Sequence, residues 1–349
     1  MISRVCYCTR EDVKNALDIK ETARNDDQID RAIEGATDTI EGDLNRKFFP
    51  EVDTRYFDWP NQQYAEPWRL WLEENEVTSV TSFTAGGVVI SAANYNLEPN
   101  EAGPPYDHIE AKRNTIGSFT SSTTPQRDIA LAGIFGATSD TSPCGATAEP
   151  LDNSETDVDV TNSFIVGVGD LIKVDSEQML VTDKSMLDTG QVTGGALTAA
   201  ANDVTVAVTT GSAYFKNEII QINSEQMLIT SITGNNLTVK RAWNGSVLAT
   251  HLISTAIYAP RTLTVIRAMY GTTVATHLTT APLVKNKVPG VIKNYAIAES
   301  INTFLQETAG YTRTVGSGEG VRNASGAGLR DMRDRAYLTW GRKARIAAV

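Results

Sequence analysis

The sequence predicts an α+β protein: a helical core with small β elements, interrupted by an all-β, barrel- or sandwich-like domain made of two nested repeats. Three observations carry this. Apolar residues recur at helical spacing near both ends of the chain. The middle has no helical period and is rich in Val, Ile, Thr, Gly and Asn. Finally, that middle holds two pairs of matching segments. DSEQMLVT (175–182) and NSEQMLIT (223–230) lie 48 residues apart, while LTVKRAWNGSVLATHL (237–252) and LTVIRAMYGTTVATHL (263–278) lie 26 apart.

Thr9 opens the first helix as an N-cap, with Asp12 at the third position and Val13, Ala16 and Leu17 behind it. After a linker, DIKETARN, the run Asn25-Asp26-Asp27-Gln28 caps a longer helix. Ile29, Ala32, Ile33, Ala36, Ile40 and Leu44 form its apolar stripe, and Phe48-Phe49-Pro50 ends it. From 54 to 136 come short β-like runs: TRYFDW, WRLWL, EVTSVTSFT, VVISAANYNL and DIALAGIFG. Pro60, Pro67, Gly86-Gly87 and Gly103-Pro104-Pro105 divide them. Trp59, Trp68 and Trp71 are expected to cluster against the long helix. SDTSPCGATAEP (139–150) reads as a linker and APLVKNKVPG (281–290) as a second break. Helix then returns, with Val291, Ile292, Tyr295, Ala296, Ala298, Ile301, Phe304 and Leu305 on one face and Pro289 near its start. TVGSGEGVRNASGAG (314–328) reads as a flexible linker. Its G-x-G-x-G follows a helix rather than a strand, and no acid stands at dinucleotide-binding spacing. The closing helix has Leu329, Met332, Ala336, Tyr337 and Trp340 at amphipathic spacing.

The unequal spacings imply nesting. The order is first half, first half, second half, second half, so one module sits inside the other. The expected organisation is a core of 1–138 and 286–349 with an arm at 316–349, an outer β module of 145–196 and 258–283, and an inner module of 197–257. Glu177 and Glu225, Arg241 and Arg267, and His251 and His277 recur in both copies. Recurrence within one chain favours a structural role for them over a catalytic or metal-binding one.

No run of about 18 apolar residues is present, so no membrane span is expected. The polar N-terminus carries no secretory signal, which points to a cytoplasm or a particle assembled there. Three cysteines do not make a disulfide framework, and Cys6-Tyr7-Cys8 has no second Cys/His cluster nearby to complete a metal site. Walker, G-x-S-x-G, H-E-x-x-H and C-x-x-C motifs are absent, and the chain has 3 His. No enzyme, cofactor or metal is expected. Net charge is −11, divided as +5 over 311–349 and −16 elsewhere. An acidic body with a basic tail suggests that the tail docks on something acidic.

YCTREDVKNALDI, DDQIDRAIEGATDTIEGDLNRKFFP and TRYFDWP, in that order, resemble the head-to-tail adaptor (connector) proteins of tailed double-stranded DNA phages. The resemblance continues through VTSVTSFTAGGVVI, NYNLEP, PPYDHIE and VPGVIKNYAIAESINTFLQ, covering about 1–137 and 287–349. It implies a homo-oligomeric ring, usually of twelve copies, at the virion neck. Such a ring seats on the portal through its C-terminal arm, receives stopper or tail-side proteins, and bounds a channel through which DNA passes without sequence-specific binding. The arm residues that would carry portal docking are Arg330, Arg333, Arg335, Tyr337, Trp340, Arg342, Lys343 and Arg345. The nested modules depart from the compact family pattern and look like decorations of other phage structural proteins. The alternative reading is a receptor- or glycan-binding virion structural protein.

Overall fold

Helix α1 (Arg10–Leu17) starts where Thr9 and Asp12 cap each other. The Thr9 amide donates to Asp12 Oδ2 (3.0 Å) and the Asp12 amide to Thr9 Oγ1 (3.1 Å). The computed structural model describes residues 2–17, 25–59, 67–101, 103–308, 314–315, 322–323 and 327–342. Helix α2 (Asp26–Leu44) buries the stripe read from the sequence: Ile29, Ala32, Ile33, Ala36, Ile40 and Leu44. Its ends differ from expectation. Asn25 makes no side-chain cap, and Asp26 pairs instead with Lys14 and Arg10 of α1. The helix stops at Asn45 in the left-handed region (φ 51°), before the two phenylalanines. Helix α3 (Gly290–Thr308) runs antiparallel to α2, held by Tyr295 Oη donating to Asp43 (2.8 Å) and by Arg31 on Glu307 (2.7 Å).

Between α2 and α3 the chain is dominated by sheet. β1 (Glu51–Phe57), β2 (Arg69–Trp71), β3 (Val77–Ala85), β4 (Val88–Val89), β5 (Tyr95–Glu98), β6 (His108–Ala111) and β7 (Ile129–Phe135) form two antiparallel sheets, ordered β1-β7-β3-β4 and β2-β6-β5. They enclose a separate core around Phe83, Ile109, Phe119 and Leu131. Trp59 and Trp68 pack on this core and Trp71 lies over His108 (4.2 Å between centroids). The expected tryptophan cluster against the long helix therefore does not form, because the sheets supply their own apolar faces.

The remaining strands are β8 (Thr141–Ala146), β9 (Asp157–Asp159), β10 (Leu171–Val174), β11 (Glu177–Val192), β12 (Thr205–Ala207), β13 (Ile219–Ile222), β14 (Glu225–Thr233), β15 (Asn236–Lys240), β16 (Ala256–Ile266) and β17 (Pro282–Asn286). They make one ten-stranded sheet, ordered β12-β15-β14-β13-β16-β11-β10-β17-β8, with β9 also on β16. The expected helical core with small β elements is overturned. Strand accounts for 36% and helix for 22%, and four helices occur among the described residues. Part of the error lay in the two stretches read as breaks. Both are strands, β8 and β17, and they pair with each other. Their prolines fit because Pro143 lies on an edge strand and Pro282 opens one.

The repeat is visible in register. Val158 faces Leu263 in β9–β16 as Val206 faces Leu237 in β12–β15. Leu180 faces Ile266 in β11–β16 as Leu228 faces Lys240 in β14–β15. One core cluster, with Ile172, Met179 and Leu263, draws on 144–181 and 263–283; another, with Ile220, Met227 and Leu237, draws on 197–257. The paired strands β11 and β16 form one long ribbon, from which β16 gives Leu263 to the first cluster and Ile257 to the second.

The outer strands are not a decoration on the body. Val168, Leu171 and Leu180 belong to the helical core with Ile33, Phe48 and Tyr295. The turn after β16 enters the body as well. The Tyr270 carbonyl accepts from the Val52 amide (2.9 Å), its hydroxyl accepts from the Val5 amide (3.0 Å), and its ring lies 4.3 Å from that of Phe49. Gly271 sits at φ 79°, where a Cβ would overlap the Val52 carbonyl oxygen.

Candidate docking arm and buried ion nodes

Helix α4 (Ala327–Trp340) carries most of the sequence-predicted docking residues. Tyr295, near the start of α3, and Arg342, just beyond α4, both reach the C-terminal end of α2. Helices α3 and α4 are therefore antiparallel. The arm is fixed at its tip and along one stripe. The Trp340 ring meets Phe48 edge-on (5.6 Å, 85°), the Arg342 amide donates to the Leu44 carbonyl (3.2 Å), and Arg342 Nη2 lies 3.4 Å from Glu76 Oε2. At about 100° per residue, Leu329, Ala336 and Trp340 form the inward stripe. Ala336 is fully buried, and Leu329 and Trp340 pack on the body core.

The five apolar residues expected on one face therefore separate. Met332 and Tyr337 are exposed, and Leu338, opposite the inward stripe, is 79% exposed. Arg330, Arg333 and Arg335 are exposed too, while Trp340 and Arg342 are half-buried and committed to the body. Lys343 and Arg345 lie outside the described residues.

The seat of the arm is built around Glu76, which the sequence did not single out. Glu76 is 3% exposed, one residue before β3. Arg46 Nη2 (3.2 Å) and Arg342 Nη2 (3.4 Å) face the carboxylate, yet neither Glu76 oxygen makes a well-formed hydrogen bond. Burial pushes this carboxyl above its ordinary range, although Arg46 and Arg342 pull it back. Cavities of about 480 and 700 Å³ flank it, the first lined by Glu41, Glu51 and Arg55, the second by Glu73, Asp107 and Arg342.

The recurring Glu, Arg and His residues meet at two equivalent nodes. In the inner module Glu225 receives five hydrogen bonds: from Arg241 Nε (2.7 Å) and Nη2 (2.8 Å), from the Ala242 and Ala249 amides (3.0 Å each), and from His251 Nε2 (2.8 Å). Arg241 also donates to the Thr198, Asp203 and Ala249 carbonyls. In the outer module Glu177 has the same set from Arg267, Ala268, Ala275 and His277, at 2.7–3.2 Å. Burial alone would raise both carboxyls, but the Arg, His and amide donors hold each at about 2. One contact differs. His277 Nδ1 faces the Asp175 carboxylate (2.8 Å), where His251 Nδ1 faces the Asn223 amide (3.2 Å). Each node ties a strand start to the turn and the Ala-Thr-His segment that follow the partner strand. Both carboxylates are fully buried, which suits a clamp.

Cys6, Cys8 and Cys144 are buried free thiols, and burial pushes Cys8 and Cys144 up to about 12. No group of His, Cys, Asp and Glu arranged for a metal occurs among the described residues. None of their helices is long and apolar enough to cross a membrane. No protein-family profile, curated protein or solved structure matches the chain.

Proposed function

We propose that this chain is a structural subunit of a phage neck: a head-to-tail adaptor that forms a ring, joins portal to tail-side proteins and bounds the DNA channel. The observation that carries the reading is the arm. It is a helix held by one stripe and its tip, separated from α3 by 18 residues of sequence, with Arg330, Arg335, Tyr337 and Leu338 exposed. Arg and Tyr are residue types that dominate interface hot spots. The ordered resemblance of the N-terminal helices and of α3 to phage adaptors supports the same reading, and the acidic balance outside the arm suits a conduit that DNA slides through.

Mass measurement of the purified chain, alone and mixed with portal protein, tests it. The expected result is a closed ring that binds portal and loses portal binding, but not its fold, when 316–349 is removed. A chain that stays monomeric with portal present would count against the proposal. A second reading, receptor or glycan binding, draws on the inner module, which has its own core and exposes Val247, Leu252 and Ile253. Host-cell binding that disappears on excision of that module would favour it.

A further inference from the structure

We propose that in the assembled ring the seat of α4 on each body is filled by α4 of a neighbouring copy. This rests on the ring-forming reading above.

The first argument is length. Helix α3 has 19 residues and α4 has 14, about 28 and 21 Å at 1.5 Å per residue, and they lie antiparallel. Such a helical hairpin closes with about 2–8 residues. Here 18 residues (309–326), five of them glycine, separate Thr308 from Ala327. A two-residue ladder, Thr314–Val315 on Arg322–Asn323, lies within them. Eighteen residues span at most about 60 Å when fully extended. That is far more than the return to its own body requires.

The second argument is where the binding contacts lie. The ring contact of Trp340 with Phe48, the Arg342–Leu44 hydrogen bond and the Arg342–Glu76 ion contact are all at the tip of the arm. The helix before it adds only a thin stripe: Ala336 is buried and Leu329 packs on the core, while its other described residues are exposed. A plug recognised at its tip makes the same contacts whichever copy it comes from.

The seat is also loosely closed. Both Glu76 oxygens, Arg46 Nε, and Arg342 Nε and Nη2 are buried without hydrogen bonds, between the two cavities. The occupant is a second copy because each chain supplies one plug and one seat. Passing plug to seat around a circle leaves neither unused, which is how a head-to-tail contact closes. The outward Tyr337 and Leu338 stay available to portal in either arrangement.

A photo-crosslinking residue in place of Thr339, which borders the larger cavity beside Asn45 and Glu74, tests this in the full chain. Light and ¹⁵N-labelled monomers are mixed in equal amounts, assembled and irradiated, and crosslinks between the 327–342 and 45–76 peptides are analysed by mass. About half of the crosslinks from the ring should join a light to a heavy peptide. A ring with only same-isotope crosslinks overturns the exchange and leaves the ring reading standing; a chain that never assembles overturns both. A second variant lacks 311–320, leaving eight residues between the helices. It should retain a seated α4 but lose the ring, and an undiminished ring would refute the proposal.

Discussion

Replacing Glu225 with Gln keeps the shape of the inner node and removes its central charge. The Arg241 guanidinium then remains buried, with the Thr198, Asp203 and Ala249 carbonyls as its partners. Desolvation works against the native carboxylate, yet its donors hold it at about 2 against an ordinary 4.5. At 1.36 kcal/mol per pH unit, this gap corresponds to about 3 kcal/mol. Removing one partner of a buried ion pair independently leads to about 3–5 kcal/mol. The loss should be local, because the inner cluster shares no buried residue with the helical core. Hydrogen exchange resolved by peptide reads this directly. Amides of β13–β15 should exchange about a hundredfold faster, the kinetic equivalent of about 3 kcal/mol, while α2 and α3 stay as in the wild type. Glu177→Gln should cost a similar amount but extend to α2 and α3, since Leu171 and Leu180 sit in their core. A loss under about 1 kcal/mol for Glu225→Gln, or equal acceleration in α2, would refute the argument from burial and separate cores.

Both node carboxyls lie below their unfolded value of 4.5, so their contribution is complete above that pH and is lost as pH falls toward about 2. Urea titrations across this window should show a flatter pH dependence for the double variant Glu177→Gln/Glu225→Gln; curves parallel to wild type would contradict the assignment. Gly271→Ala should destabilise the body by more than the about 1–2 kcal/mol of strain at its φ of 79°, because the added carbon would also overlap the Val52 carbonyl oxygen. A melting shift no larger than that strain accounts for would show that the docked turn adds nothing. Joining Met186 to Thr262 through a two-residue turn should leave the outer node and α2–α3 protected from exchange, and general unfolding would disprove separability. Trp340→Ala should release α4, raising exchange over 327–342 at a cost of about 2 kcal/mol for the lost half-buried ring, with α2 unaffected; unchanged protection there would place the anchor elsewhere.

Periodicity made α2 readable, since each of its six stripe residues is buried, and the Thr9–Asp12 spacing was a capping signature in its own right. From sequence the core reads as more helical than it is, because strands such as β8 carry proline, glycine and polar side chains that mimic a linker. Edge position permits those residues, and only the partner strand reveals it. The nodes were half legible. Recurrence at offsets of 48 and 26 picked out Glu, Arg and His, but their convergence depends on register between strands up to 100 residues apart. Glu76 left no trace. It reads only as the opening residue of the β-like run EVTSVTSFT, and its burial comes from Arg46 on one side and the returning arm on the other. The arm's apolar spacing was correct while its faces were not, because a helix with apolar residues on both sides has no unique inward direction until a neighbour supplies one.

The long ribbon of β11 and β16 also says how such a chain grows. The outer module leaves at Met186 and returns at Thr262. Shifted by the two repeat offsets, these match Gly234 and Asn236, which bound the tight turn between β14 and β15 in the inner module. The inner copy thus preserves closed the doorway that its host holds open. The strands beside the open doorway are the longer ones: β11 has 16 residues against 9 in β14, and β16 has 11 against 5 in β15. A hairpin tip that has already admitted a whole domain is a natural grafting point. A third generation spliced at Gly234 would extend the same ribbon outward, leaving the helices and the arm untouched.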